Sequence, residues 1–167
     1  MPTTSASRPI ELSELLCFDL YAASRAVTAI YRPLLTDLGL TYPQYLVLIV
    51  LRRERSSTVK QLSEALHLDY GTLTPLLRRM ETKGLLTRQR RTDDERSVAI
   101  DLTVAGTALR SRTGDIQHAI QAAVGLNGQQ TTALQSTLRA ITASAAAQAD
   151  AGRVTGGADP ADSSSPR

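Results

Sequence analysis

The chain has one cysteine, no tryptophan and few aromatic residues of any kind. Aromatic side chains make up 4% of its 167 residues, whereas hydrophobic residues make up 42%. A single cysteine excludes an intramolecular disulfide, and a reducing cytosol keeps such a thiol free unless a specific oxidant reaches it. Leu and Ala are abundant while Gly and Pro are held to particular places, which favours helices. The composition predicts one mostly α folding unit of ordinary domain length.

Long apolar runs are also absent. No segment approaches the roughly 20 apolar residues that a membrane-spanning helix needs. Met1–Pro9 lacks the charged-then-apolar layout of a signal peptide. We therefore expect a cytoplasmic protein without a membrane partner.

A large net charge is the third absence, because the formal charge is only +3. Such a value does not by itself indicate a nucleic-acid partner. The distribution is more informative, since residues 78–91 hold six basic side chains and one acidic side chain, a local charge of 6 − 1 = +5. Taken alone, a run of this kind is usually a solvated helix face.

Helical periodicity dominates the two ends of the chain. Apolar residues recur at threes and fours over residues 10–35, which predicts a long amphipathic helix that Pro33 should bend or end. A second helix should close near Arg53. Helices over about 104–124 and 127–149 should pack with the first.

The middle of the chain has the pattern of a helix-turn-helix. Ser57-Thr58 caps a short helix over residues 59–66 whose Leu62, Ala65 and Leu66 should face inward, and a turn follows. Asp69 caps a second helix over about 71–83, which Gly84 closes. Small polar residues at the start of that second helix are typical of a helix that enters the major groove.

A predicted β-hairpin follows the second helix of this pair. Residues 85–91 and 97–102 are predicted strands, and the charged residues 92–96 between them form the tip. Such a hairpin beside a helix-turn-helix is a wing. Residues 1–9 and 150–167 are predicted to be disordered tails, since their composition cannot repay the cost of ordering.

With its segments in this order, the chain resembles the MarR family of winged-helix dimers and, within it, the OhrR-type repressors that sense organic hydroperoxides. Four stretches carry the resemblance: residues 16–25 (LCFDLYAASR), 40–45 (LTYPQY), 71–81 (GTLTPLLRRME) and 93–97 (DDERS). The first two mark the sensor branch, and the last is generic to the larger family.

The resemblance implies a mostly α fold with a small β wing. Residues 41–103 would form the winged helix-turn-helix DNA-binding region. Residues 10–37 and 104–149 would form a helical dimerisation region built from the N- and C-terminal helices. The expected partners are a double-stranded DNA operator and a second copy of the chain.

Cys17 is the predicted redox sensor. A sensor cysteine attacks peroxide as the thiolate, which needs hydrogen-bond donors or positive charge nearby. Tyr21 lies one helical turn away on the same face and is a candidate donor. Tyr31 is fourteen residues further along, about 21 Å in a straight helix, so a contact with it would have to cross subunits. The resemblance implies that Tyr31 and Tyr42 of the dimer mate hydrogen-bond the cysteine.

The resemblance is to the one-cysteine type of sensor. It implies that organic hydroperoxide oxidises Cys17 and that a low-molecular-weight thiol then forms a mixed disulfide, which releases a palindromic operator. No cofactor or metal is expected. An enzyme is not expected either, because the chain has no second cysteine for turnover and His67 and His118 lie in no catalytic motif.

Three alternatives stay open at this point. The chain could be a MarR-type repressor released by a small phenolic or drug-like ligand in the dimer cleft. A free cysteine is most often a buried structural thiol. The tyrosines could simply pack at an interface.

The predicted DNA contacts lie on the second helix and the wing. Thr72 and Thr74 would meet base edges or phosphates. The predicted phosphate contacts are Arg78, Arg79, Lys83, Arg88, Arg90 and Arg91, several of which could simply be solvated. By the resemblance Arg96 would enter the minor groove and Asp94 would orient it, the alternative being a salt bridge at the wing tip. Tyr70 departs from the pattern, since a smaller polar residue is expected there.

Overall fold

The chain forms seven helices and three strands over the part that the structure describes. The computed structural model describes Arg8 and residues 10–53, 56–90 and 98–155, and the chain divides after Val124 into two compact units. The first unit holds a 3-10 turn at Leu12–Glu14, α1 (Leu16–Thr36), α2 (Tyr42–Arg53), β1 (Ser56–Thr58), α3 (Val59–Leu66), α4 (Tyr70–Thr82), β2 (Leu86–Arg90), β3 (Val98–Leu102), α5 (Val104–Ser111) and α6 (Ile116–Val124). The second unit holds α7 (Gly128–Thr155).

The helix-turn-helix pair forms as the caps predict. The Thr58 hydroxyl accepts from the Gln61 amide at 3.2 Å while the Gln61 side chain accepts from the Thr58 amide at 2.7 Å, so a capping box starts α3. His67 takes a left-handed conformation, with φ of 52°, and ends that helix. Asp69 caps α4 by accepting from the Thr72 amide at 2.8 Å. The mostly α class and the winged helix-turn-helix are confirmed.

The wing belongs to a three-stranded antiparallel sheet of order β1-β3-β2. Ile100 of β3 pairs with Ser57 on one side and with Arg88 on the other. The two predicted wing strands are confirmed over Leu86–Arg90 and Val98–Leu102, and the predicted tip at residues 92–96 lies outside the described residues. The sequence did not predict β1, because its three residues read as the cap of α3 rather than as a strand.

The hydrophobic core of the first unit lies between α2, α3, α4 and the sheet. Leu48, Leu62, Leu77, Met80 and Ile100 are each 0% exposed. All four predicted core positions of α4 are buried, namely Leu73, Leu76, Leu77 and Met80. In α3 only Leu62 is fully buried, whereas Leu66 is half-buried and Ala65 is exposed, so the inward position of Ala65 was wrong.

Helix bounds differ from the prediction in three places. α1 starts at Leu16 and continues past Pro33 to Thr36. The predicted helix over 104–124 is two helices, because the chain turns at residues 112–115, where the buried Thr113 hydroxyl donates to the Arg110 carbonyl oxygen at 2.7 Å. α7 extends to Thr155, beyond its predicted end at Ala149. None of the helices in the described ranges has the length and apolar character needed to cross a membrane.

Helix α5 begins in tight contact with the base of the wing. The Thr103 amide donates to the Leu85 carbonyl oxygen at 3.2 Å, and the Thr103 hydroxyl donates to the Gly84 carbonyl oxygen at 2.6 Å. A Cβ atom at Gly106 would lie 1.9 Å from the same Leu85 oxygen. Glycine at position 106 is therefore what allows α5 to approach the chain entering β2.

Candidate sensor site and nucleic-acid interface

Cys17 lies in the first turn of α1 and is exposed. The start of this helix has no side-chain cap, and the Phe18 amide donates to the Leu15 carbonyl oxygen at 2.9 Å. The thiol is thus accessible to a soluble oxidant, and the interpretation of Cys17 as a buried structural thiol does not fit a single chain.

Tyr21 does not form the contact with Cys17 that its spacing predicts. Its phenol oxygen accepts a hydrogen bond of 3.1 Å from a guanidinium nitrogen of Arg25, whose central carbon lies 5.6 Å from the Tyr21 ring centroid. Among the residues that the structure describes, no hydrogen bond joins Tyr21 to Cys17. Helical side chains lean toward the N-terminus, which brings the cation of Arg25 back over the Tyr21 ring.

Three tyrosines meet where α1 packs against the start of α2. The ring centroids of Tyr31 and Tyr42 are 4.7 Å apart, and the Tyr45 ring lies 5.7 Å from Tyr31 and 6.4 Å from Tyr42. We call Tyr31, Tyr42 and Tyr45 the tyrosine cluster. The sequence singled out Tyr31 and Tyr42 but not Tyr45, although its spacing of three residues from Tyr42 on one helix places both on the same face.

Burial makes two phenols of the tyrosine cluster harder to ionise than an ordinary phenol. It raises the pKa of Tyr31 to about 12, with Tyr42 and Tyr45 adding to the rise, and Tyr31 is 7% exposed. Burial also raises the pKa of Tyr42. Both side chains therefore keep their O–H protons at neutral pH and can donate a hydrogen bond to an anion.

A cavity of about 370 Å³ adjoins the tyrosine cluster. It lies between the second half of α1 and the start of α2 and has one cationic side chain in its lining. The lining residues are Thr28, Arg32, Leu35, Thr36, Leu40, Thr41, Tyr42 and Pro43. Its size falls in the range of small-molecule pockets. The sequence did not predict this cavity, because it forms where α1 packs against the start of α2, and periodicity does not specify that packing.

The exposed face of α4 carries several of the predicted DNA-contacting residues. Arg78 and Arg79 are exposed, and Thr74 is half-buried. The Thr72 hydroxyl donates to the Asp69 carboxylate at 2.8 Å, and this bond together with the Thr72 amide lowers the pKa of Asp69. Thr72 thus takes part in the cap, which leaves its hydroxyl less free to read a base than the sequence suggests.

Lys83 and Arg88, which were predicted to contact phosphates, have side chains that are not simply free in solvent. The Lys83 ammonium donates to the Gly39 carbonyl oxygen at 2.9 Å. Arg88 is half-buried in β2, and its Nε is buried without a hydrogen-bond partner in the described part of the chain. The side chain of Arg90 and the residues Arg91, Asp94 and Arg96 lie outside the description.

Comparison with known proteins decides the family. A family described as "Transcriptional regulator SarA/Rot" matches residues 29–112. The organic hydroperoxide resistance transcriptional regulator of Bacillus subtilis (strain 168) is 47% identical over 129 residues, which cover 77% of this chain and 88% of that protein. The chain is an OhrR-type member of the MarR family.

Two solved structures of DNA-binding regulators are similar to this OhrR-type chain. Reduced AbfR bound to DNA is 33% identical with a TM-score of 0.64, and the match covers 78% of this chain and 91% of that one. Bordetella bronchiseptica BpsR, whose DNA binding is regulated by 6-hydroxynicotinic acid, is 26% identical with a TM-score of 0.74, covering 81% and 98%. The OhrR-type chain is a one-cysteine transcription regulator, and its relatives are regulators rather than enzymes.

Proposed function

We propose that this regulator is a cytoplasmic homodimeric repressor that binds a palindromic operator and releases it when organic hydroperoxide oxidises Cys17. The observation that carries the proposal is the distance along α1 between the Cys17 thiol and the phenol of Tyr31. Cys17 is exposed near one end of the helix, and Tyr31 lies in the tyrosine cluster about 21 Å further along. The thiol and the phenols can meet only if two copies of α1 run past each other.

In that dimer, Tyr31 and Tyr42 of one subunit donate hydrogen bonds to the Cys17 thiolate of the other. The sulfur attacks one oxygen of the hydroperoxide, an S–O bond forms, the O–O bond breaks, and the leaving alkoxide takes up a proton to become an alcohol. The cysteine becomes a sulfenic acid and the peroxide is reduced. A low-molecular-weight thiol then forms an S–S bond with this sulfur, and water leaves.

The mixed disulfide places new volume in a packed interface. The proposed interface uses residues 10–37 and 104–149, and the exposed Leu134 and Leu138, one helical turn apart on α7, supply apolar surface for it. Residues 41–103 form the DNA-binding region. We call α4 the recognition helix. Because the two recognition helices of the dimer must match half-sites about one helical turn apart, a small subunit rotation weakens operator binding steeply.

The test is operator binding measured with and without oxidant. Fluorescence anisotropy on the DNA upstream of the protein's own gene should give tight binding by the reduced wild type. Cumene hydroperoxide together with free cysteine should abolish it, and mass spectrometry should find cysteine disulfide-linked to Cys17. Cys17→Ser should bind equally well and stay bound. Release of Cys17→Ser at the wild-type peroxide concentration would show that the thiol is not the sensor.

The cavity beside Tyr42 supports a second candidate function, release by a small anionic aromatic ligand. Arg32 offers a cation, the threonines offer hydroxyls, and Leu35 and Leu40 offer apolar surface. BpsR is a precedent for regulation by such a molecule. Operator release by 6-hydroxynicotinic acid or a related aromatic acid, unchanged in Cys17→Ser and lost in Arg32→Ala, would favour this candidate.

A further inference from the structure

Tyr70 is an exposed aromatic residue at the tip of the recognition helix. It is the first residue of α4, and 55% of its surface is exposed. Among the described residues, no hydrogen bond or ring contact holds its side chain. An aromatic ring left open in this way gains stability when a partner covers it.

The backbone at Tyr70 is held in place on both sides. Asp69 accepts hydrogen bonds of 2.8 Å from both the amide and the hydroxyl of Thr72, which closes the first turn around Tyr70. On the inner side, Leu73 and Leu77 are 0% exposed and anchor the helix in the core. The ring is therefore presented from a fixed point rather than from a loose loop.

Helix geometry directs this ring toward the end of α4 that meets DNA. Helical Cα–Cβ bonds tilt toward the N-terminus, so the side chain of the first residue projects beyond the helix. Recognition helices lie in the major groove with their N-terminal residues against base edges. Gly71 follows directly and adds no side chain that would screen the approach.

We propose that Tyr70 is a specificity-determining residue that packs its ring against the 5-methyl group of a thymine in each operator half-site. This inference rests on the operator binding proposed above. Thymine alone presents an apolar group in the major groove, and apolar side chains recognise it. The smaller polar residue expected at this position offers no comparable apolar surface, so this chain prefers thymine where a relative with that residue does not.

The experiment removes the methyl group and the ring separately. Operator duplexes carry uracil in place of each thymine in turn, on a site first defined by footprinting upstream of the gene. Wild type should lose about fourfold in affinity per half-site at one thymine position, the value of one buried methyl group. Tyr70→Phe should keep that loss, and Tyr70→Ser should bind the thymine and uracil duplexes equally.

A matched control comes from α5. Val104 is the first residue of that helix, is 89% exposed and follows the capping residue Thr103. Val104→Ser removes an exposed apolar side chain at the same helical position, in the segment assigned to the proposed dimer interface, and should leave the uracil profile of the dimer unchanged. Circular dichroism melts and size-exclusion chromatography should show that Tyr70→Ser and Val104→Ser are both folded dimers.

The outcomes separate this inference from the proposed function. A wild-type protein that binds its operator with no dependence on any thymine methyl would overturn the role of Tyr70 and leave the repressor intact. The same holds if Tyr70→Ser keeps the wild-type uracil profile. If the wild type binds no upstream DNA specifically, both the operator function and the Tyr70 inference fail. Since neither variant changes a charge, the salt dependence of binding should be equal for all.

Discussion

The side-chain ammonium of Lys83, directly after α4, donates a 2.9 Å hydrogen bond to the carbonyl oxygen of Gly39 in the turn between α1 and α2. Gly39 has a φ of 64°, which turns the chain there, and Tyr42 of the tyrosine cluster begins the next helix. The bond ties the end of the recognition helix to the segment that leads into the proposed sensor. A residue predicted to contact phosphate therefore also links the two regions.

This link predicts an unusual salt dependence for a lysine variant. Lys83→Met removes the ammonium and should weaken operator binding several-fold, with the slope of log affinity against log salt unchanged. Arg78→Met, an exposed position of α4, should instead reduce the slope by about 1, as expected for one lost phosphate contact. Anisotropy titrations from 50 to about 200 mM salt give both slopes. A reduced slope for Lys83→Met would mean that Lys83 reaches a phosphate after all.

The close approach at Gly106 predicts a strongly destabilising substitution. An alanine Cβ would lie 1.9 Å from the Leu85 carbonyl oxygen, and main chain cannot yield as a flexible side chain would. Gly106→Ala should lower the free energy of unfolding by about 3 kcal/mol, the upper range of overpacking, in urea titrations followed by circular dichroism. Gly114→Ala is the control, since its Cβ would meet only the Ser111 oxygen at 3.8 Å. Equal stabilities of the two variants would contradict the contact.

Local signals predict the DNA-binding half of the fold well. Thr58 and Asp69 are strong caps, and Gly84, with a φ of 68°, ends the recognition helix in a conformation that favours glycine. Such features act within one or two turns of chain, so the sequence alone carries them. β1 is different, because Ser57 becomes a strand residue only when Ile100 arrives from far along the chain.

The residues of the proposed sensor site likewise divide into those that local spacing predicts and those that depend on packing between helices. The spacing of Tyr31 from Cys17 already excludes a contact within one helix, and the continuous α1 agrees. In the single chain Tyr21 bonds Arg25 rather than Cys17. The spacing of four residues offers both partners, and only the side-chain geometry chooses between them. Tyr45 and the cavity depend on how α1 crosses α2, which periodicity does not specify.

The raised pKa of Tyr31 predicts a loss of stability at high pH. In the unfolded chain the phenol ionises near its ordinary pKa of about 10, whereas in the folded chain it ionises at about 12. Between these values the unfolded state has lost the proton and the folded state has kept it, so stability falls as pH rises. Tyr31→Phe should flatten this decline in urea midpoints measured from about pH 9.5 to 12. A decline of equal steepness in the variant would contradict the assignment.

The hydrogen-bond partner of Tyr21 makes it the natural control for the donors of the proposed sensor site. Tyr31→Phe and Tyr42→Phe remove hydroxyls that would stabilise the Cys17 thiolate of the other subunit, and each should slow its oxidation by about tenfold, the value of one charge-assisted hydrogen bond. Tyr21→Phe removes a hydroxyl that is paired with Arg25 and should oxidise at the wild-type rate. Quenched-flow alkylation of the remaining thiol, followed by mass spectrometry, measures all four rates. If Tyr21→Phe were slow and Tyr31→Phe normal, the thiol would have its donor within its own helix and the cross-subunit arrangement would be wrong.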